Sequence, residues 1–147
     1  LLQRWEFASL LNETVDLVLQ VHEQAYARMT QWEGNRRVPP IYTVSHCSPK
    51  YYRFDFDDSF DRFGTGFQTY QHVAIHGDTL SMNVYNAVTG KLYDRVDIVK
   101  GMHDHATIID RGKDIPEILD FSPRPGNKKD AAFAARINDY KAKKGIK

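Results

Sequence analysis

The stretch TVDLVLQVHEQAYAR, residues 14–28, decides how the fold of this chain is interpreted. Its first half, Thr14–Val21, is short, mostly apolar and rich in β-branched residues, which is typical of a buried strand with a parallel neighbour. Upstream, apolar residues at helical spacing between Leu1 and Leu11 predict an amphipathic helix. A helix that leads directly into a buried strand is the second half of a βαβ unit. We therefore expect the first half of that unit to lie upstream of Leu1.

The segment after this strand is polar and contains several turn-forming residues. His22–Pro40 includes Gly34-Asn35 and ends in two prolines, so we predict a loop with a possible helical turn at Ala25–Met29. Ile41–His46 is predicted to be a second strand, and the acidic run Asp55–Arg62 a short helix or turn.

Alternation of apolar and polar residues is clearest in the middle of the chain. Phe67–His76, Thr79–Tyr85 and Lys91–Lys100 each alternate, and the turns Gly77-Asp78 and Ala87–Gly90 separate them. This pattern predicts a three-stranded antiparallel meander with one buried face.

The C-terminal third contains a possible short strand, an extended segment and a helix. Thr107–Ile109 is the possible strand, and the proline-rich Ile115–Asn127 is predicted to lie extended over the surface. Asp130 is a candidate cap for a last helix. The apolar stripe of that helix is Phe133, Ile137 and Tyr140.

Composition excludes several classes of protein and partner. With 147 residues, 41% hydrophobic and 27% charged, the chain is neither disordered nor collagen-like, and its one cysteine, Cys47, cannot form an internal disulfide. The net charge of +1 gives no footprint for nucleic acid or anionic lipid. No apolar run approaches the roughly 18 residues that span a membrane. We therefore expect neither nucleic acid nor a membrane as a partner.

Basic residues are concentrated at the C-terminal end, where they indicate a solvated helix face rather than a binding arm. Only Asp130 and Asp139 oppose them. The basic residues are Arg124, Lys128, Lys129, Arg136, Lys141, Lys143, Lys144 and Lys147.

Residues 15–28 resemble the last metal-binding block of the purple acid phosphatases and their calcineurin-like metallophosphoesterase relatives. In that family a strand VDLVLQ precedes a loop that reads Gly-His-x-His-Ala-Tyr-x-Arg. Here the strand, His22, Ala25-Tyr26 and Arg28 match. Weaker likeness continues through Pro40–Ser45 and through the hairpin residues 67–80, so the resemblance covers about residues 1–100.

The resemblance implies an α+β fold of the metallophosphoesterase sandwich type. Residues 1–114 would be the C-terminal part of that domain, with a mixed sheet that continues into the antiparallel meander. Residues 115–147 would be an extended segment and a basic C-terminal helix. The missing N-terminal part of the same domain would be a partner of this chain. A sheet cut in this way exposes a strand edge, so self-association is also expected.

The chemistry implied by the resemblance is hydrolysis of a phosphate ester at a dinuclear metal centre of the iron, zinc or manganese type. Two such cations neutralise the ester and activate a bound water for attack on phosphorus. His22 matches the first histidine of the family loop, which is a metal ligand. The resemblance leans toward an exported protein.

Two positions of the loop depart from the family pattern. Val21 replaces the glycine, and Gln24 stands where the family has its second histidine, although an amide oxygen is a weaker ligand than imidazole for a transition metal. The other metal-binding blocks of the family are not found in this sequence, and a single ligand cannot hold two metals. We therefore expect a fragment of a phosphoesterase that is inactive alone. The alternatives are a degenerate, non-catalytic relative that acts as a binding or structural module, or that Val21 and Gln24 are introduced changes.

Other candidate sites have simpler interpretations. His103 and His105 could clamp a metal, but they lack a third ligand nearby in sequence, which favours a surface strand or loop. Adjacent His46 and Cys47 would point to opposite faces of a strand, which argues against a nucleophilic pair. Four carboxylates could belong to a calcium loop, but the sequence lacks the glycine and the glutamate that such a loop requires, which favours a solvated turn. They are Asp55, Asp57, Asp58 and Asp61. Four aromatic side chains could stack on a ligand, but they are more typical of residues in a hydrophobic core and at its rim. They are Tyr51, Tyr52, Phe54 and Phe56.

Overall fold

The structure is a computed structural model that describes residues 10–21, 23–50, 53–54, 59–101 and 106–146. Residues 10–14 are helical, and two four-stranded sheets and a C-terminal helix follow. The strands are β1 (Leu17–Gln20), β2 (Tyr26–Glu33), β3 (Arg36–Val44), β4 (Arg62–Gly64), β5 (Thr69–His76), β6 (Thr79–Asn86), β7 (Leu92–Lys100) and β8 (Ala106–Asp110). The helix is Lys128–Lys144. The chain therefore has a mixed, sheet-rich fold.

The first sheet is mixed and has the order β1-β3-β2-β4. β1 runs parallel to β3 with Gln20 opposite Val44, so the predicted parallel strand is confirmed. The expectation that this strand is buried is wrong, because Leu19 is 54% exposed. Within the described residues β1 pairs with β3 alone, which makes it an edge strand and accounts for the exposure.

The predicted loop at residues 22–40 is wrong, because this region contains the hairpin of β2 and β3. Gly34-Asn35 forms the turn, and Gly34 takes the positive φ of 57° that suits glycine. The two prolines did not prevent a strand, because the β2–β3 register shifts between Met29 and Gln31, near the cis peptide Pro39-Pro40. Proline nitrogens carry no hydrogen to donate, and the two prolines lie where the pairing is interrupted.

The second sheet is the predicted antiparallel meander, with β8 added in the order β5-β6-β7-β8. The buried face is confirmed on the central strands, where Met82, Val84 and Val96 have no exposed surface. On the outer half of β5 the prediction of a buried face is wrong, since Val73 is 38% and Ile75 is 74% exposed. The first sheet therefore covers only part of this face.

Two apolar clusters divide the molecule into three layers. The cluster between the two sheets includes Tyr26, Ile41 and Val96. The cluster between the mixed sheet and the C-terminal helix includes Ala27 and Met29. Because successive side chains of a strand point to opposite faces, β2 contributes to both clusters and is the central strand of the packing.

The C-terminal helix packs its predicted stripe of Phe133, Ile137 and Tyr140 into the core. Its cap is Asn127 and not Asp130, because the Asn127 side chain accepts hydrogen bonds from the backbone N–H groups of Lys129 and Asp130. Residues 111–127, before the helix, form no named strand or helix, and Leu119 makes an isolated bridge to Thr65. In the described part of the chain, no helix is long and apolar enough to cross a membrane.

Candidate functional site

The loop between β1 and β2 holds the residues that the sequence predicted to be functional. Val21 is 79% exposed, and His22 lies outside the described residues. Glu23 and Gln24 are half-buried. The side-chain oxygen of Gln24 is buried and has no hydrogen-bond partner among the described residues. The Gln24 amide thus holds a buried acceptor that no described residue uses.

Tyr26 and Arg28, which match the family motif, connect the two sheets. The Tyr26 hydroxyl donates to Asp94 Oδ2 at 2.7 Å, and Arg28 Nε donates to the same oxygen at 2.7 Å. Arg28 Nη2 also donates to Asp110 Oδ2 at 2.8 Å. Arg28 and Asp94 are buried almost completely. These two motif residues therefore fix the start of β2, and so the end of the loop, against β7 and β8.

The protonation states of this pair are fixed near neutral pH. Burial, followed by the charge of Asp94, raises the pKa of Tyr26 well above its usual value. Burial alone would lower the pKa of Arg28, but the charge of Asp94, the hydrogen bond to Asp94 and the other partners of Arg28 together outweigh burial, and the pKa is raised. Tyr26 is thus neutral and Arg28 charged, and neither is suited to exchange protons with a substrate.

A cavity of about 410 Å³ opens beside the loop, between Glu23 and the C-terminal helix. Its apolar floor includes Phe54 and Phe133, each 4% exposed. Among the described residues, three basic side chains and one carboxylate, that of Glu23, line it. The basic residues are Arg53, Lys129 and Arg136. We refer to this cavity as the basic pocket; its charge favours an anionic ligand with an apolar portion.

A cluster around Asp130 holds Arg53, one of the residues that line the basic pocket. Arg53 Nη1 donates to Asp130 Oδ1 at 2.5 Å, and Arg124 Nε donates to Oδ2 at 2.7 Å. Hydrogen bonds from Arg124, then from its backbone N–H and from Arg53, hold the pKa of Asp130 well below its usual value. This carboxylate therefore stays charged and holds Arg53 at the first turn of the helix.

His46 follows the carboxyl end of β3, the strand that runs parallel to β1. It comes two residues after Val44 at the end of β3, just as His22 comes two residues after the paired Gln20 at the end of β1. His46 is 4% exposed, and burial lowers its pKa. The sequence analysis considered His46 only as a possible partner of Cys47. The signal for another role is the position of His46 after a strand that is parallel to β1.

Most of the other candidate site residues either have a structural role or lie outside the described residues. Asp61 contacts Arg37 at 3.3 Å and accepts from Thr30, so it belongs to an ion pair. Cys47 is exposed while His46 is buried, in line with the expectation that they do not act together. Phe54 is a core residue that stacks on Phe63. Those outside the described residues are His103, His105, Asp55, Asp57, Asp58, Tyr51, Tyr52 and Phe56.

Metal ligands are sparse in the described part of the chain, where no group of three or more His, Cys, Asp or Glu side chains could hold an ion. Comparisons of the chain with protein-family models, with curated proteins and with solved structures gave no match.

Proposed function

We propose that this chain is the C-terminal part of a metallophosphoesterase-type domain and that it contributes the binding surface for a phosphate ester. The basic pocket, which opens directly beside the loop that contains His22, carries this proposal. In it, Arg53, Lys129 and Arg136 would bind the phosphate, and the aromatic floor would receive the apolar part of the ester.

The arrangement of β1 and β3 supports the family assignment. The loop residues follow the carboxyl end of a strand in a parallel pair, where ligands of α/β sheets are usually bound. The open edge of β1 is where the remainder of such a domain, or a second copy, would pair.

The described residues do not fit a dinuclear metal centre, since they contain no group of three possible ligands. His22 is the one ligand that the resemblance supplies, and the others would come from the upstream part of the domain. We therefore assign no hydrolytic step to this chain and propose that it is inactive alone.

An alternative is that the protein is a degenerate relative that binds phosphate compounds without hydrolysing them. The Gln24 side chain favours it, because an amide oxygen is a weaker ligand than imidazole for a transition metal. Elemental analysis of the complete gene product separates the two: a bound metal pair supports the enzyme, and its absence supports the binding module.

Titration of the 147-residue chain with para-nitrophenyl phosphate, followed by amide NMR shifts, tests the basic pocket. We expect shifts at Glu23, Lys129 and Phe133, and about tenfold weaker binding in the double variant Lys129→Gln/Arg136→Gln, because two charge-assisted contacts are lost. Lys128→Gln is the matched control, since Lys128 lies in the same helical turn but outside the pocket.

Three results would contradict the proposal. If the titration leaves the pocket amides unmoved, the basic pocket is not the phosphate site. If Lys128→Gln weakens binding as much as the double variant, the effect is that of overall charge. If the chain alone binds two metals and hydrolyses the ester in a reaction that His22→Ala abolishes, its proposed inactivity is wrong.

A further inference from the structure

A second cavity, of about 320 Å³, lies at the opposite end of the C-terminal helix from the Asn127 cap. It is formed where β2, β3, β4 and β8 meet the segment 113–117 and the end of the helix. Its described lining has no residue in common with the basic pocket. We call it the ionic pocket, because nine of its lining side chains are charged. These are Arg28, Arg37, Arg62, Lys113, Lys144, Asp61, Asp110, Asp114 and Glu117.

Four of these side chains carry buried polar atoms without a hydrogen-bond partner among the described residues. They are Arg28 Nη1, Arg37 Nε, Arg62 Nε and Glu117 Oε2. Arg28 is 1% exposed, and its Nη1 is 3.9 Å from an Asp61 carboxylate oxygen, which is too long for a hydrogen bond. Because buried charged groups are costly when unsatisfied, these atoms indicate that something polar occupies the pocket.

Glu117 is the clearest of the four. Its Oε1 accepts from the Phe63 N–H at 3.2 Å and from the Tyr140 hydroxyl at 3.1 Å, while Oε2 accepts nothing from the described residues. The side chain is 7% exposed. The structure thus holds one oxygen of this carboxylate in place and leaves the other for an outside donor.

The charges of the ionic pocket nearly cancel, since five basic side chains face four acidic ones. A polyanion would be repelled by the carboxylates and a polycation by the guanidinium and ammonium groups. A ligand that carries one charge of each sign satisfies both the unpaired donors and the unpaired acceptor. Apolar contact is available from Ile115, Pro116 and Ile146.

We propose that the ionic pocket binds a small zwitterion of the free α-amino acid class with an aliphatic side chain. Its carboxylate accepts hydrogen bonds from Arg28 and Arg37, and its ammonium group donates to Glu117. The side chain lies against Ile115 and Ile146. The site is independent of the proposed phosphate chemistry, so either proposal can fail without the other.

Amide NMR titration of the 147-residue chain with four probes tests this assignment. The probes are L-valine, acetate, isobutylammonium and glycine betaine. We expect L-valine to shift the amides of Lys113, Ile115 and Ile146. The other three should bind at least about tenfold more weakly. Acetate and isobutylammonium each lack one of the two charges, and glycine betaine has no N–H donors.

Asp114→Asn supplies a variant that leaves the buried ion pairs in place, since Asp114 is exposed on the pocket rim. It should weaken L-valine binding several-fold with an unchanged melting temperature, whereas Asp139→Asn, on the exposed face of the helix, should not. Glu117→Gln keeps an acceptor for the Phe63 N–H and should abolish binding if it folds. Absence of any L-valine response in the folded chain would mean that ordered water alone fills the pocket, and equal responses to acetate would mean a simple anion site. Either result overturns the proposal.

Discussion

Arg28 on β2 and Asp94 on β7 form a buried ion pair, with Nε and Oδ2 2.7 Å apart, that joins the two sheets of the molecule. Tyr26 shares the same carboxylate oxygen, and Asp110 takes a second hydrogen bond from Arg28. Arg62 reaches Asp94 Oδ1 at 3.6 Å and donates to the backbone oxygens of Tyr93 and Gly112. The layers of this fold are therefore held together by charge as well as by apolar packing.

Loss of this ion pair should cost much of the stability of the domain. Arg28→Met leaves the Asp94 carboxylate, which has no exposed surface, without its strongest partner. Breaking a buried pair in this way costs about 3–5 kcal/mol of unfolding free energy. Urea unfolding at neutral pH measures it. Arg36→Gln, which removes an exposed ion pair with Glu33, should cost no more than about 1 kcal/mol. If both variants lose the same stability, the buried pair between the sheets contributes no more than an exposed one.

Acid should destabilise the domain, and Asp110 should account for part of the effect. Burial alone would raise the pKa of Asp110, but the charge of Arg28 and hydrogen bonds from Arg28 and Arg37 hold it below its usual value. A group whose pKa is lowered on folding stabilises the protein above its unfolded pKa, about 3.9, and this contribution is lost as pH falls below it.

We therefore expect the urea midpoint to fall as the pH is lowered below about 5, and to fall less steeply in Asp110→Asn than in the wild type. The comparison uses unfolding curves at neutral pH and at several acidic values. Asp139→Asn, which removes an exposed carboxylate outside this cluster, should keep the wild-type slope. An Asp110→Asn slope identical to the wild type would exclude Asp110 as a source of acid sensitivity.

Gly66 should tolerate no side chain. Its φ is +87°, and an added Cβ would come within 2.7 Å of the Asp120 Cβ and closer still to the Asp120 backbone oxygen. Gly90 also has a positive φ, +67°, but an added Cβ there meets nothing within 4 Å. Gly90→Ala should therefore cost about 1–2 kcal/mol from backbone strain alone, and Gly66→Ala about 1–3 kcal/mol more from overpacking. Thermal unfolding would contradict this if both variants lost the same amount.

The cap of the C-terminal helix can be identified by substitution. Asn127→Ala should cost about 1 kcal/mol, because two backbone N–H groups lose their acceptor. Asn127→Asp should retain most of the stability, since aspartate caps equally well. If the Asp variant is as unstable as the Ala variant, the Asn127 side chain stabilises the helix in some other way.

Local patterns predicted much of the sheet architecture. The meander was predictable because its strands alternate and its turns are short, and both signals lie within about ten residues. The hairpin of β2 and β3 was missed because two of the buried residues of β2, Arg28 and Thr30, are polar. Arg28 and Thr30 face partners on distant elements, Asp94 and Asp61, and no local pattern contains that information.

The candidate site was predictable only in part. The loop around His22 could be placed from the strand before it, but the basic pocket depends on the C-terminal helix, about a hundred residues downstream. Asp130 was interpreted as a cap because aspartate commonly is one; its contacts with Arg53 and Arg124 depend on tertiary packing. The ionic pocket collects residues from both sheets, so its residues have no shared sequence signal.

The shared attachment of Tyr26 and Arg28 to Asp94 has a consequence for how this protein can change over generations. Replacements at positions 21 and 24 alter exposed or half-buried loop side chains and leave the hydrogen bonds between the two sheets intact. Replacements at position 26 or 28 remove hydrogen bonds to Asp94 that join the sheets. Tyr26 and Arg28 are therefore required by the fold whether or not the loop before them carries any chemistry.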